Sequence, residues 1–293
     1  MKSTLFYIIY IINTIILKMK KHRPNIAKYH SFIKWNIYDG MKLPGNIILD
    51  LAIGRGGDLF KYVSKNQIVK ILGIDIDNEA IMEAQKRWDD SRKKIENVNL
   101  ALLCDDASSD ESKLWIKNVL GRKKVAMSCC HFAIHYFFVN ETRLLNLVEN
   151  MSFTVRKKGY VWITCPDGQK LMDLVKGVTK ETKEYQVSIP NKDLIDLEKQ
   201  PYGNKVFYSL KKTRYFTKAK PGKAIMDKGV SEEYLVYIPE LIRLFEERGF
   251  KLVSQKHFDF WALNYPDNYN VKFLNSTQQE ISFCNVNIIL QKV

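Results

Sequence analysis

Between Ile47 and Asp75 the chain reads strand, glycine turn, helix, strand, acid, an order that few folds accept. Ile47-Ile48-Leu49-Asp50-Leu51 is a short apolar run suited to a strand buried on both faces. It breaks into Gly54-Arg55-Gly56-Gly57-Asp58, where three glycines in four positions let the backbone turn tightly and approach a ligand closely. A short helix follows, and Ile71-Leu72-Gly73-Ile74-Asp75 makes a second buried strand that ends in a carboxylate. An acid at that point can accept hydrogen bonds from a ribose diol, as in the nucleotide sites of doubly wound sheets. The pattern predicts an α/β fold with a pocket for an adenosine-bearing cofactor at the strand ends.

Two kinds of cofactor compete for such a pocket. A dinucleotide site calls for Gly-x-Gly-x-x-Gly facing a pyrophosphate. The frame from Ala52 reads Ala-Ile-Gly-Arg-Gly-Gly-Asp and lacks that spacing. Asp58, just past the turn, would repel a pyrophosphate and suits a cofactor that carries positive charge, such as the ammonium and sulfonium of S-adenosylmethionine. The local pattern favours a methyltransferase. A glycine turn after a strand can be a turn and nothing more, but two acids placed as Asp58 and Asp75 are lift this one above that.

Strand and helix patterns alternate through the rest of the first half, as in a parallel sheet covered on both faces. Tyr29 to Met41 has apolar residues at helical spacing, and Asn78 can cap a helix running through Trp88. Val98 to Cys104 and Lys124 to Cys130 read as the third and fourth strands, Glu141 to Phe153 as an amphipathic helix, and Tyr160 to Cys165 as a fifth strand. From Gln169 to Gly229 periodicity is poor and lysines dominate, which marks an insertion or lid. A helix opened by Pro239 closes at Gly249. Lys251 to Phe260 and Val286 to Val293 are expected to close the sheet as an antiparallel pair.

With 293 residues and no repeats, one elaborated domain over residues 26–293 is expected. A net charge of +14 argues for a polyanionic partner, nucleic acid before acidic membrane. The five cysteines are odd in number, form no Cys-x-x-Cys pair and sit mostly in apolar runs, the pattern of reduced core residues in an intracellular protein. His131 and His135 near Cys129 and Cys130 match no common zinc spacing, so no metal is expected. Leu5 to Leu17 is apolar but falls short of the roughly 20 residues that span a bilayer. Residues 1–25 read as this hydrophobic stretch followed by a basic arm. The stretch can be an added helix or strand, a weak membrane anchor, or non-native sequence upstream of a start at Met19; the soluble basic character after Met19 favours the last. Stable membrane association is not expected.

Taken together, these motifs resemble the mRNA cap guanine-N7 methyltransferases, the divergent viral members more than the cellular ones, over most of the chain from Ile26 to Val293. Ser31-Phe32-Ile33-Lys34 is similar to the family's opening helix, whose lysine reaches the cofactor carboxylate. Leu49-Asp50-Leu51 through Gly56-Gly57-Asp58-Leu59 matches the glycine motif, and Gly73-Ile74-Asp75-Ile76 the ribose-binding strand. Asp106-Ala107-Ser108 resembles the Asp-Ser-Ser that borders the adenine. Phe132-Ala133-Ile134-His135-Tyr136 is close to Phe-Ala-Leu-His-Tyr, where guanine meets cofactor, and Glu233-Tyr234-Leu235-Val236 to the Glu-Tyr-Leu-Val whose glutamate grips the guanine edge. The resemblance implies a class I S-adenosylmethionine-dependent methyltransferase, a mostly parallel seven-stranded sheet with helices on both faces. It implies S-adenosyl-L-methionine at Lys34, Asp50, Gly54, Asp58, Asp75, Asp106 and His131. The 5′ cap of an mRNA would meet Arg55, Lys61, His135, Tyr136 and Glu233, and other capping-enzyme subunits are conceivable partners. Location would be nuclear for a cellular member, and host cytoplasm or virion for a viral one; the isoleucine-, lysine- and asparagine-rich usage fits an AT-rich genome.

Several positions depart from the family pattern. Ala52-Ile53 stands where Gly-Cys is usual, Arg55 replaces a lysine, and His131 replaces a glutamine. Phe283-Cys284-Asn285 lies where a cap-stacking tyrosine is expected. No Lys-x-Asp-Gly of a guanylyltransferase is present, since Tyr38-Asp39-Gly40 lacks the lysine, so this chain would carry only the methylation step. Guanine N7 is already nucleophilic and needs no general base, so no catalytic acid or base is expected. Two alternatives stay open: a methyltransferase with another acceptor, and a non-catalytic RNA-binding or regulatory subunit, which Ala52, Ile53 and His131 keep in view.

Overall fold

The computed structural model describes residues 25–65, 67–91, 97–211 and 230–293. The apolar stretch from Leu5 to Leu17, most of the basic arm, and the lysines at 212, 218, 220 and 223 lie outside the described residues. The chain opens with α1 (Asn25–Gly40), then alternates β1 (Ile47–Leu51), α2 (Leu59–Tyr62), β2 (Lys70–Asp75), α3 (Asn78–Ser91), β3 (Asn99–Cys104), α4 (Asp110–Leu120), β4 (Val125–His131), α5 (Glu141–Ser152) and β5 (Val155–Pro166). A 3₁₀ segment, Ile134–Val139, separates β4 from α5. There follow α6 (Gly168–Leu174), β6 (Thr179–Glu181), β7 (Tyr185–Ser188), β8 (Lys205–Leu210) and β9 (Ser231–Tyr234). The chain closes with α7 (Ile238–Glu246), β10 (Phe250–His257), α8 (Asp259–Asn264), α9 (Tyr269–Lys272), α10 (Ser276–Ser282) and β11 (Asn285–Lys292).

Seven strands form one sheet in the order β10-β11-β5-β4-β1-β2-β3. β1 to β5 pair in parallel with their neighbours, while β11 runs antiparallel to both β5 and β10. The mostly parallel seven-stranded sheet and its closing antiparallel pair are as expected. Strand pleating divides the core by alternate residues. Ile47, Leu49 and Leu51 pack on one face against Ile116 of α4, Leu147 of α5 and Phe245 of α7. Ile48 and Ile71 face the other way, into Tyr38, Leu59, Tyr62 and Trp88.

Within the stretch expected to be an insertion or lid, the described residues 169–211 contain regular strands. β6, β7 and β8, with β9, make a second, antiparallel four-stranded sheet in sequential order. Its inward side chains Tyr185, Val187, Val206 and Tyr208 belong to a separate apolar cluster with Tyr29 and Ile33 of α1 and Trp261 of α8. α1 therefore touches both cores: Ile33 packs into the second cluster and Tyr38 into the first. Lys34 lies between these two positions in the helix, with its ammonium on Asp58 and over the Phe132 ring.

Two smaller expectations are corrected. The α3 amide of Glu79 is taken by the Asp77 carboxylate at 3.0 Å, so Asp77, not Asn78, supplies the cap. Cys129, Cys130, Cys165 and Cys284 are buried, but Cys104 at the end of edge strand β3 is exposed. Among the described residues no helix is long and apolar enough to cross a membrane.

Candidate functional site

The turn between β1 and α2 is built on left-handed backbone: Ala52, Gly54 and Gly56 have φ of 72°, 54° and 68°. The amides of Ala52 and Ile53 both donate to the Ile74 carbonyl, at 2.8 and 3.0 Å, which clamps the turn onto the end of β2. Asp75 completes the clamp by accepting from the Gly54 amide at 2.7 Å and the Asp77 amide at 2.9 Å. A side chain on Gly54 or Gly57 would meet nothing within 4 Å, so the turn looks out on open space.

Beside this turn the buried charges converge. Asp58 receives Lys34 from α1 on one carboxylate oxygen and Lys61 from α2 on the other, the latter at 2.7 Å. Burial alone would raise the Asp58 carboxyl, but Lys34 and Lys61 hold it well below the usual carboxylate range. Sequence reasoning set Asp58 against a cofactor cation and Lys61 against cap phosphates; here Lys61 is turned inward, buried, with its ammonium on Asp58. Asp50, at the end of β1, accepts from the Tyr62 hydroxyl at 2.8 Å, and its second oxygen has no hydrogen-bond partner among the described residues.

His131 ends β4 against this cluster, and burial, then the charge of Lys34, lower its imidazolium pKa to about 3. The ring is therefore neutral. Its Nδ1 lies 2.9 Å from the Thr164 hydroxyl, which itself donates to Asn287 Oδ1 at 2.8 Å. Asn287 Oδ1 is fixed as an acceptor by the Trp162 indole N–H at 3.1 Å. Thr164 thus accepts from His131 Nδ1–H, and the buried, unpartnered Nε2 is left as an acceptor. A glutamine at this position would offer a carbonyl instead; the histidine supplies an acceptor by way of its tautomer.

The other sequence-derived residues fall around the rim. Asp106 accepts from the Ser108 amide at 2.9 Å and hydroxyl at 2.7 Å and is ion-paired with Arg143 of α5. Arg55 is exposed and reaches Glu83 of α3 at 2.6 Å, where Arg87 also pairs.

A second polar group forms around Glu233. Phe132, at a φ of 56°, turns the chain out of β4 and into the 3₁₀ segment that carries His135 and Tyr136. Glu233 comes from β9 of the other sheet and is buried, with Ser231 donating to it at 2.5 Å. The Tyr136 hydroxyl lies 3.5 Å from Glu233 Oε1, and His135 Nε2 lies 3.4 Å from Oε2. Burial lowers the His135 pKa against the opposing pull of Glu233, so the imidazole is neutral at pH 7. The Tyr136 ring is 44% exposed and stands open to a planar partner. Phe283 does not join this group: it packs edge-on against Tyr29 in the second core, with ring centroids 6.5 Å apart.

The residues fit an adenosine-type zwitterionic cofactor. Cation and anion are paired at Lys34–Asp58, two buried polar atoms (Asp50 Oδ1 and His131 Nε2) have no hydrogen-bond partner among the described residues, and Asp75 stands at the edge of an open glycine turn. Sequence reasoning missed Tyr62, Thr164, Asn287, Arg143 and Ser231. All five act through another side chain: Thr164 and Asn287 from neighbouring strands, Arg143 from a helix onto a loop, Tyr62 across the turn, and Ser231 two residues along its own strand.

The family model described as mRNA (guanine-N(7))-methyltransferase domain matches residues 12–286. The mRNA cap guanine-N(7) methyltransferase of Eremothecium gossypii is 26% identical over 80% of this chain and 53% of its own length, and that of Saccharomyces cerevisiae is 26% identical over 83% and 55%. A probable mRNA-capping enzyme of Acanthamoeba polyphaga mimivirus is 28% identical over 87% of this chain and 24% of its own. The chain thus spans about half the length of the fungal relatives and about a quarter of the viral one. Among solved structures, an S-adenosylmethionine-dependent methyltransferase from Clostridium acetobutylicum aligns over 98% of each chain with a TM-score of 0.52 at 11% identity. Another from Mesorhizobium loti aligns over 88% of this chain and 97% of its own, again with a TM-score of 0.52, at 12% identity. Those likenesses show the fold, that of class I S-adenosylmethionine-dependent methyltransferases.

Proposed function

The chain belongs to the mRNA (guanine-N(7))-methyltransferase domain family, and from that premise we propose that it transfers a methyl group from S-adenosylmethionine to N7 of the guanine that caps an mRNA. The observation that carries the reading is the buried Glu233 beside the half-exposed Tyr136, in a chain that also pairs Lys34 with Asp58 at its glycine turn. A carboxylate can accept from guanine N1–H and N2–H₂, and an aromatic face can stack on a base for about 1–3 kcal/mol. The cofactor, when bound, supplies an electrophilic methyl on a sulfonium. Lys34 would take its carboxylate, Asp58 its ammonium, and Asp75 its ribose, while Asp50, Gly54, Asp106 and His131 line the same pocket. His131 Nε2 would add an acceptor to the amino end.

N7 carries its own lone pair and no proton, so no residue needs to act as a base. What the chain supplies is alignment of the acceptor nitrogen with methyl carbon and sulfur, an effect that can contribute about 7–11 kcal/mol. Neutral His135 keeps Glu233 from being quenched by a fixed cation, leaving its charge for the base edge. Arg55, with Arg87 beside it on Glu83, offers cations at the rim for cap phosphates; Lys61 does not, being turned to Asp58. Residues 169–211, with β9, would cover the cap. Partners of this reading are capped mRNA 5′ ends and, in a larger assembly, other capping subunits; the activity would lie inside cells, in the nucleus for a cellular member and in host cytoplasm or virion for a viral one.

The test is methyl transfer from labelled S-adenosylmethionine to RNA ending in unmethylated GpppA, beside uncapped RNA and an Asp75→Ala variant. Product on capped RNA alone, released as N7-methylguanosine and lost in the variant, is expected. Product on uncapped RNA, or methylation elsewhere, would replace the acceptor; cofactor binding without product on either RNA would point to another acceptor or a missing partner, and neither binding nor product would favour a regulatory subunit.

A further inference from the structure

Asp58 has two cationic partners of different kinds. Lys61 lies three residues on in the same turn of chain, 2.7 Å from Oδ1, with its side chain 6% exposed. Its ammonium also lies 5.8 Å from the centre of the Trp35 ring, so it is held from two sides. Lys34 arrives on the other oxygen from α1, 24 residues away in sequence. Lys61 therefore travels with Asp58, whereas Lys34 can leave without disturbing the turn.

We propose that Lys61 is a specificity-determining residue: it keeps Asp58 paired when Lys34 moves to a ligand carboxylate, and so makes the site depend on the carboxylate of the ligand's amino-acid end more than on its amine. The inference rests on the reading that an S-adenosyl amino acid occupies this pocket. A ligand with a carboxylate and no amine takes Lys34 and leaves Asp58 on Lys61, with no buried charge stranded. A ligand with an amine and no carboxylate meets an Asp58 already flanked by two lysines. Either Lys34 stays and the new ammonium lacks a partner, or Lys34 is expelled and is itself left buried without one. Stranding one member of a buried, hydrogen-bonded pair is the costly outcome. Among the described residues, the neutral rings of His131 and His30, the carboxyls of Asp50 and Asp75, the Tyr62 hydroxyl and the Cys129 thiol are the other titratable groups around the cluster, and none of them is a cation that could replace Lys61.

Calorimetry on the full chain tests this with three ligands: S-adenosylhomocysteine, its analogue with the α-amine replaced by hydrogen, and its analogue with the α-carboxylate replaced by hydrogen. Wild type is expected to lose less than about tenfold in affinity on removal of the amine and at least about thirtyfold on removal of the carboxylate. In Lys61→Met the penalty for removing the amine is expected to grow by about tenfold or more, because Asp58 then has Lys34 alone; Lys61→Arg restores the wild-type pattern. Equal penalties for the two groups in wild type would overturn the proposal without needing any variant. So would a Lys61→Met protein that binds all three ligands uniformly worse, or one that binds them normally while its KM for capped RNA rises, which would return Lys61 to the phosphates. Wild type binding none of the three would instead overturn the cofactor reading, and this inference with it.

Discussion

Asp50 carries a carboxylate at the buried end of β1 with a single hydroxyl donor, that of Tyr62, on one of its oxygens. Burial, and next the negative charge of Asp58, push its carboxyl up to about 7 against the opposing effects of Tyr62 and Lys34. In an unfolded chain the same carboxyl ionises near pH 4. Between about pH 4 and 7 the folded chain therefore binds a proton that the unfolded chain has lost, and stability from this group declines across that window. Above 7 the loss is complete and constant. Asp50→Asn keeps an acceptor for Tyr62 and removes the charge. Without cofactor, its melting temperature is expected to gain on wild type as pH rises from 4 to 7 and to hold that lead above, each kcal/mol relieved being worth about 2–4 °C in a domain approaching this size. Melting curves of both proteins at pH 5 and 8 measure this, and a gap independent of pH would refute it. The acids of the site were legible because each ends or follows a strand in a readable motif. Their partners were not. Nothing in the spacing says that Lys61 turns inward or that Tyr62 reaches back to Asp50, since those choices depend on how α2 packs under α1.

At the scale of the element, the β1–α2 turn carries strain that can be located. Ala52 holds a φ of 72°, a left-handed conformation that costs a residue with a Cβ about 1–2 kcal/mol and glycine nothing. Ala52→Gly is expected to relieve part of that strain, up to about 1 kcal/mol net of glycine's larger unfolded entropy, and to leave cofactor affinity equal or better. Chemical denaturation beside cofactor titration measures both, and a destabilised variant would show that the Ala52 methyl packs to advantage. Gly56 gives the converse case. At a φ of 68°, an added Cβ would lie 2.5 Å from Leu59 Cδ1 and 3.2 Å from Ala84 Cβ. Gly56→Ala therefore combines backbone strain with a collision between α2 and α3, and a loss of about 2 kcal/mol or more is expected in the same denaturation assay. The strands on either side of this turn were readable because runs such as Ile47–Leu51 are apolar on both faces. β6 and β7 were not, for they have three and four residues and bury at most alternate ones. A segment that short carries too little periodicity to stand out from the lysines around it.

The molecule as a whole joins two sheets, and the proposed guanine pocket exists only where they meet. His135 and Tyr136 belong to the segment after β4, Glu233 to β9, and the separation of 97 positions between Tyr136 and Glu233 explains why motif order alone did not give their distance. Glu233→Gln preserves shape and removes charge; it is expected to raise KM for capped RNA by about tenfold or more while leaving cofactor affinity intact. Equal loss of cofactor binding would mean that Glu233 supports the fold instead. The same division separates how salt acts on the two ligands. Net charge is +14 over the whole sequence, and exposed cations such as Arg55 meet an RNA through water, where counterions compete. The Lys34–Asp58–Lys61 cluster is buried, so mobile ions screen it far less. Log affinity for capped RNA is accordingly expected to fall with log salt at a slope of about −0.7 per phosphate neutralised, while affinity for S-adenosylhomocysteine stays nearly level over the same range. Parallel titrations from low to physiological salt distinguish the two. A cofactor affinity that tracked salt as steeply as the RNA would mean that the cluster opens to solvent in solution and that its charges are not the enclosed pair on which recognition of the amino-acid end depends.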